Sequence, residues 1–211
     1  MPFDFDTAVR KQYSTLPVPR DFILSSGTPT SQILWVGCSD SFIIETETLD
    51  VLPEEIFVHR NLGNILHNRD LSSESALDWC LNLLKVNHIV VCGHYDCALI
   101  RESDANEVHG WHKYEWSNPK VLKLKEIRDV TRLHRTNVEF LSKTRKDISD
   151  QDRDRILEEV YVLAETEWIR KQPNVKKAIA ERGLQVHAFV YDKIQNRCVK
   201  LVESEIVNGM K

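Results

Sequence analysis

Apolar residues fall along this chain in two alternating patterns, and together they predict strands and helices in turn. Short continuous apolar runs at 33–36, 56–58 and 88–92 predict strands buried on both faces. Between the last two runs, Leu77, Cys80, Leu81 and Leu84 recur at helical spacing. They predict a helix over 72–86, capped by Ser72 or Ser73, with Glu74 near its positive end. Strand, helix and strand in that order predict a right-handed crossover between parallel neighbours. Helical spacing returns at Val121, Leu124, Ile127 and Thr131 within 119–141, and again at Ile156, Val160, Leu163 and Trp168. The run 143–155 is dense in both charge signs and reads as a solvated turn between these helices. A third helix opens at Pro173 and ends at Gly183. A strand over 184–191, a turn over 192–197 and a strand over 198–202 predict a C-terminal edge hairpin. The fold class is α/β: a mostly parallel central β-sheet flanked by helices.

The first 31 residues have a different character. A short polar helix is expected over 4–13, with Phe3, Phe5, Val9 and Tyr13 along one side. Pro17 and Pro19 break it, and 25–29 reads as a loop. Such an arm has little to fold on by itself, so it is expected to pack across its own domain or a partner subunit. The division is an arm over 1–31, expected at a dimer contact, and a single domain over 32–211. A polar and aromatic stretch follows at 101–118, where His109 and His112 lack a third ligand. Surface loop or subunit contact is its expected role.

Bulk properties narrow the function. The 211 residues, 42% hydrophobic and 28% charged, are those of one ordinary globular domain. A net charge of −4 argues against nucleic acid as a partner. No apolar run approaches the roughly 20 residues that span a bilayer, so no membrane association is expected. Asp4 and Asp6 stand where a signal segment would be apolar, and a cytoplasmic location is expected. Cys38, Cys80, Cys92, Cys97 and Cys198 show no disulfide rhythm, which leaves metal ligation and core packing as their uses. Cys80, Cys92 and Cys198 lie within predicted elements and read as packing.

The chemistry sits where two predicted strands end. Val36-Gly37-Cys38-Ser39-Asp40 closes one, and Cys92-Gly93-His94-Tyr95-Asp96-Cys97 closes another. Parallel sheets gather ligand sites at the carboxyl ends of their strands. Thiolate and imidazole are donors that zinc prefers. One zinc ion per subunit is therefore expected on Cys38, His94 and Cys97, with Asp40 within reach as the fourth ligand. With three protein ligands, a water in the remaining position loses a proton near pH ~7 instead of ~15.7. With Asp40 in that position, the shell is closed and no hydroxide forms.

Cys38-Ser39-Asp40-Ser41, His59-Arg60-Asn61-Leu62-Gly63-Asn64 and Gly93-His94-Tyr95-Asp96-Cys97 resemble the β-class carbonic anhydrases in order and spacing, most closely the short fungal and bacterial-like members. The stretch 186–192 resembles that family's closing strand. The resemblance implies reversible hydration of CO2 to bicarbonate and a proton by zinc-bound hydroxide. It also implies a homodimer with active sites near the subunit interface. Asp40 takes the family's catalytic aspartate position.

Two positions depart from the pattern. Phe42 stands where the family has an arginine that pairs with the aspartate and draws it off the metal. A phenyl ring offers neither charge nor donor, so Asp40 is expected on the zinc and the enzyme is expected to be weak. Arg60 and Arg69 are possible substitutes, although Arg60 belongs to a motif with its own structural role. Ala98-Leu99 replaces small residues that leave room at the pocket. Alternative functions are a catalytically silent zinc-binding homologue with a structural or interaction role, and a hydrolase of carbonyl sulfide or carbon disulfide. His59, His67, His88, His134 and His187 are expected to be structural.

Overall fold

A computed structural model describes residues 3–98, 136–137, 139–146 and 148–204. The expected features at 101–118, His134 and most of the helix expected over 119–141 lie outside them. The core is a six-stranded sheet in the order β1-β6-β5-β4-β2-β3. Its strands are β1 (Tyr13–Pro17), β2 (Ile33–Cys38), β3 (Ile56–Asn61), β4 (His88–His94), β5 (Gln185–Asp192) and β6 (Arg197–Glu203). The pairs β2/β3, β2/β4 and β4/β5 are parallel, as the buried apolar runs predict. The β5/β6 pair is the expected hairpin. The outer position beside it belongs to β1, which pairs antiparallel with β6 from Tyr13↔Glu203 to Pro17↔Val199. This strand ends on Pro17, just before Pro19, and has no apolar alternation, so nothing local announces it.

Both faces of the sheet are covered, which is why its central strands read as unbroken apolar runs. On one face Leu34, Val36, Ile89, Val91, Ala188 and Val190 pack beneath helices. These are α3 (Leu71–Asp78), α4 (Asp150–Arg170) and α5 (Pro173–Arg182). On the other face Ile33, Trp35, Val90, Cys92 and Phe189 meet Ile43, Leu49 and Val51 from the connections, which include α2 (Glu45–Leu49). The N-terminal α1 (Phe5–Arg10) buries Phe5, Ala8 and Val9 against Leu157, Val160 and Tyr161 of α4.

Helix boundaries moved where side chains cap. Asp70, not Ser72 or Ser73, caps α3, accepting the Ser73 N–H at 3.0 Å. The segment then closes as a π-helical turn over Trp79–Leu84, ended by left-handed Lys85. Ser149 caps α4 within the stretch expected to be a turn, so the charged residues from 150 onward are the helix's first turns. Gly183 ends α5 at φ 70°, a conformation glycine adopts without steric cost. Glu55 closes the connection before β3 and ties the 25–32 loop beneath it. Its carboxylate accepts from Ser25, Ser26, Gln32 and Leu52 at 2.5–2.9 Å. Among the described residues, no helix is long and apolar enough to cross a membrane.

Candidate metal centre

Parallel pairing of β2 with β4 brings their carboxyl ends together, in register from Ile33↔His88 to Gly37↔Cys92. Cys38 is the last residue of β2 and His94 the last of β4, each one step past a glycine. Gly93 has no room for a side chain, because a Cβ there would meet Val162 Cγ2 of α4 at 2.6 Å. After His94 the chain reverses through Asp96 at φ 64° and delivers Cys97. The ligand atoms of Cys38, His94 and Cys97 all lie within 4.8 Å of one another, and all three residues are buried. His94 Nε2 is buried without a hydrogen-bond partner. Cys38 Sγ accepts the N–H of Gly63 at 3.3 Å and of Asp40 at 3.4 Å. The hydrogen bond with Cys97 and those from His94 and Asp40 bring the Cys38 thiol down to about 4, against the opposing effect of burial. A lowered thiol, a second sulfur and a buried imidazole within 4.8 Å of one another form a donor set that fits zinc.

Asp40, the expected fourth ligand, is not among these three. Its Oδ2 accepts the backbone N–H of Ala98 at 3.0 Å. A main-chain donor therefore engages this carboxylate. Phe42, in the arginine's place, is 72% exposed, with Lys193 Nζ 4.2 Å from its ring centre. Arg60 is committed to Glu45 at 2.7 Å and to the carbonyls of Ser41 and Ile43. Arg69 turns to Gln172 and the Trp168 ring. Neither arginine has Asp40 among these partners.

Sequence reasoning missed two residues of α4. Glu158 is buried beside the cluster and hydrogen-bonded with Cys97; burial, and then the charge of Cys38, push its carboxyl well up. Glu159 accepts hydrogen bonds from Tyr13 and Tyr95. The signal was two consecutive glutamates inside the apolar run from Ile156 to Ala164. The remaining described histidines have structural partners. His59 meets Ser73, His67 meets Glu165 and stacks on Phe3, and His88 meets His187. Cys80, Cys92 and Cys198 are buried in the core clusters, and burial raises the Cys80 thiol to about 12.

Comparison with known proteins places the chain in a family. The sequence profile of the family described as carbonic anhydrase matches residues 33–197. A carbonic anhydrase from Emericella nidulans is 31% identical over 179 residues, covering 82% of this chain and 71% of the relative. Among solved structures, the β-carbonic anhydrase CafD of Aspergillus fumigatus superposes with a TM-score of 0.62 at 30% identity, over 90% of this chain and 99% of that one. A Coccomyxa β-carbonic anhydrase solved with acetazolamide gives 0.61 at 28% identity, over 82% and 72%. The chain belongs to the carbonic anhydrase family, in its β class. It is a lyase of a family that uses zinc, and Cys38, His94 and Cys97 form a cluster able to bind that metal.

Proposed function

We propose that the chain catalyses the reversible hydration of CO2, with zinc on Cys38, His94 and Cys97 and with Asp40 beside it as the catalytic carboxylate. The observation that carries this reading is the convergence of three buried donors at the ends of adjacent parallel strands, in a chain of this family. Zinc bound there supplies a Lewis acid that brings the pKa of water to about 7. The chain's own residues supply the rest. Asp40, whose own amide donates to Cys38 Sγ and whose carboxylate is engaged by the Ala98 amide, is an oriented acceptor beside the cluster. The Gly63 amide neutralises part of the charge on Cys38. Activity is expected to be low, because Asp40 has one main-chain donor where a guanidinium would give two.

A silent zinc-binding homologue is the second reading, favoured by the exposure of Phe42 and its contact with Lys193 instead of Asp40. Stopped-flow CO2 hydration by zinc-loaded protein, from neutral to alkaline pH, separates the two. Activity well above that of Cys97→Ser supports the enzyme, and equal rates refute it.

The working form is proposed to be a homodimer in the cytoplasm. Support for an oligomer, though not for its size, comes from a tetrameric β-carbonic anhydrase of Sordaria macrospora, 30% identical with a TM-score of 0.60, over 83% of this chain and 82% of that one. The outer edge of β3 has no strand partner among the described residues, and Val58 and Leu62 beside it are exposed. Five free cysteines suit a reducing compartment. Light scattering after size exclusion tests the assembly: a monomer or a tetramer at micromolar concentration would refute the dimer.

A further inference from the structure

The loop that carries two of the three donors is tied, through Glu159, to Tyr13 in the N-terminal strand. Between His94 and Cys97 lie Tyr95 and Asp96, and Asp96 adopts the left-handed conformation without being glycine. Aspartate tolerates that conformation better than most non-glycine residues, so the turn can form, and contacts outside it add to its placement. Tyr95 is the side chain through which it is gripped. Its ring is buried, and the Arg155 guanidinium lies over it at 3.6 Å. Arg155 is itself paired with the buried carboxylate of Asp192 at 3.3 Å. The Tyr95 hydroxyl donates to Glu159 Oε1 at 2.5 Å, and its backbone N–H donates to the Tyr191 carbonyl at 3.0 Å.

Glu159 is the junction. Its second oxygen, Oε2, accepts the hydroxyl of Tyr13 at 2.7 Å, at the start of the N-terminal strand β1. The two phenols thus converge on one carboxylate that is 9% exposed. Each phenol is raised by burial and by the neighbouring carboxylate, so each remains a donor. A buried carboxylate that loses one of two donors must find another or shift, and either change reaches Tyr95 directly. The chain from β1 to the metal loop is therefore Tyr13 to Glu159 to Tyr95, with His94 the next residue along.

We propose that Tyr13 and Glu159 are positioning residues for the metal centre: by tethering Tyr95, the N-terminal strand keeps His94 and Cys97 in ligating geometry. This rests on the zinc reading above, and its consequence is that the arm belongs to the active site although it supplies no ligand.

The test uses the full chain loaded with zinc, and in parallel with cobalt(II) as a spectroscopic probe. The variants are Tyr13→Phe, which removes one hydroxyl and keeps the ring, Glu159→Gln, and Lys11→Ala as a control. Lys11→Ala breaks the 2.7 Å pair with Glu203 that fastens the same arm, without touching Glu159. Tyr13→Phe and Glu159→Gln are expected to release zinc to a chelator about tenfold faster and to alter the cobalt d–d bands. Lys11→Ala is expected to leave both unchanged. Zinc release and spectra identical to wild type in Tyr13→Phe and Glu159→Gln would overturn the proposal while leaving the zinc site standing. Equal acceleration in Lys11→Ala would also overturn it, by showing a general effect of loosening the arm. A wild-type chain that takes up no zinc would overturn the metal reading and this inference together.

Discussion

Glu55 offers a quantitative test of how the fold supports the strand that ends in Cys38. Its carboxylate is fully covered and accepts five hydrogen bonds, from the hydroxyls of Ser25 and Ser26, the amides of Ser26 and Leu52, and the Gln32 side chain. Gln32, next to β2, also donates its backbone N–H to the Glu55 carbonyl at 2.8 Å. Burial alone would raise this carboxyl. The hydrogen bonds, led by those from Ser26 and Leu52, outweigh it and bring the value from 4.5 down to about 2. By linkage that gap corresponds to ~3 kcal/mol. Because these hydrogen bonds are set against the burial of the charge, the net contribution is taken as about 1–2 kcal/mol. The sign follows from the direction. A carboxyl depressed on folding contributes fully above its unfolded value of 4.5, and the contribution fades as pH falls from there through about 2. Urea unfolding of wild type and Glu55→Gln at pH 7, 5, 4 and 3 measures it. The variant is expected to be less stable by about 1–2 kcal/mol at pH 7, with the difference shrinking steadily below pH 4.5. Taking the difference at each pH cancels zinc loss in acid, which affects both proteins. A gap independent of pH would refute the reasoning, because it would mean that the glutamine's shape and not the missing charge is responsible.

Two further substitutions probe the site. Phe42→Arg exchanges an exposed ring for a guanidinium, the group the family carries at this position. Stability should change by less than about 0.5 kcal/mol, and CO2 hydration should rise on the order of tenfold, the worth of ~1.4 kcal/mol in a barrier. An unchanged rate in a folded variant would show that the Ala98 amide already suffices. Gly93→Ala would place a methyl 2.6 Å from Val162 Cγ2 and 3.2 Å from Glu158 Oε2. A loss of about 1–3 kcal/mol is expected from overpacking, with faster zinc release and partial recovery in Gly93→Ala/Val162→Ala. Wild-type stability and metal retention in Gly93→Ala would contradict the packing described around β4.

The sequence by itself determined the α/β class and the donor set. Both depend on short-range patterns: apolar runs that only a doubly covered strand explains, and a glycine followed by a metal-binding side chain at two strand ends. Once β2 and β4 pair in parallel, Cys38, His94 and Cys97 have little choice but to meet. Tertiary structure alone decided what surrounds them. The partner of Asp40 is the amide of Ala98, and every residue but proline carries such a donor, so no letter marks it. The β1 strand exists because β6 offers it an edge, and Glu159 is a junction because Tyr13 and Tyr95 arrive from distant parts of the chain. Local composition carries periodicity and chemistry. It does not carry which backbone groups, or which residues more than a hundred positions apart, the closed sheet will set side by side.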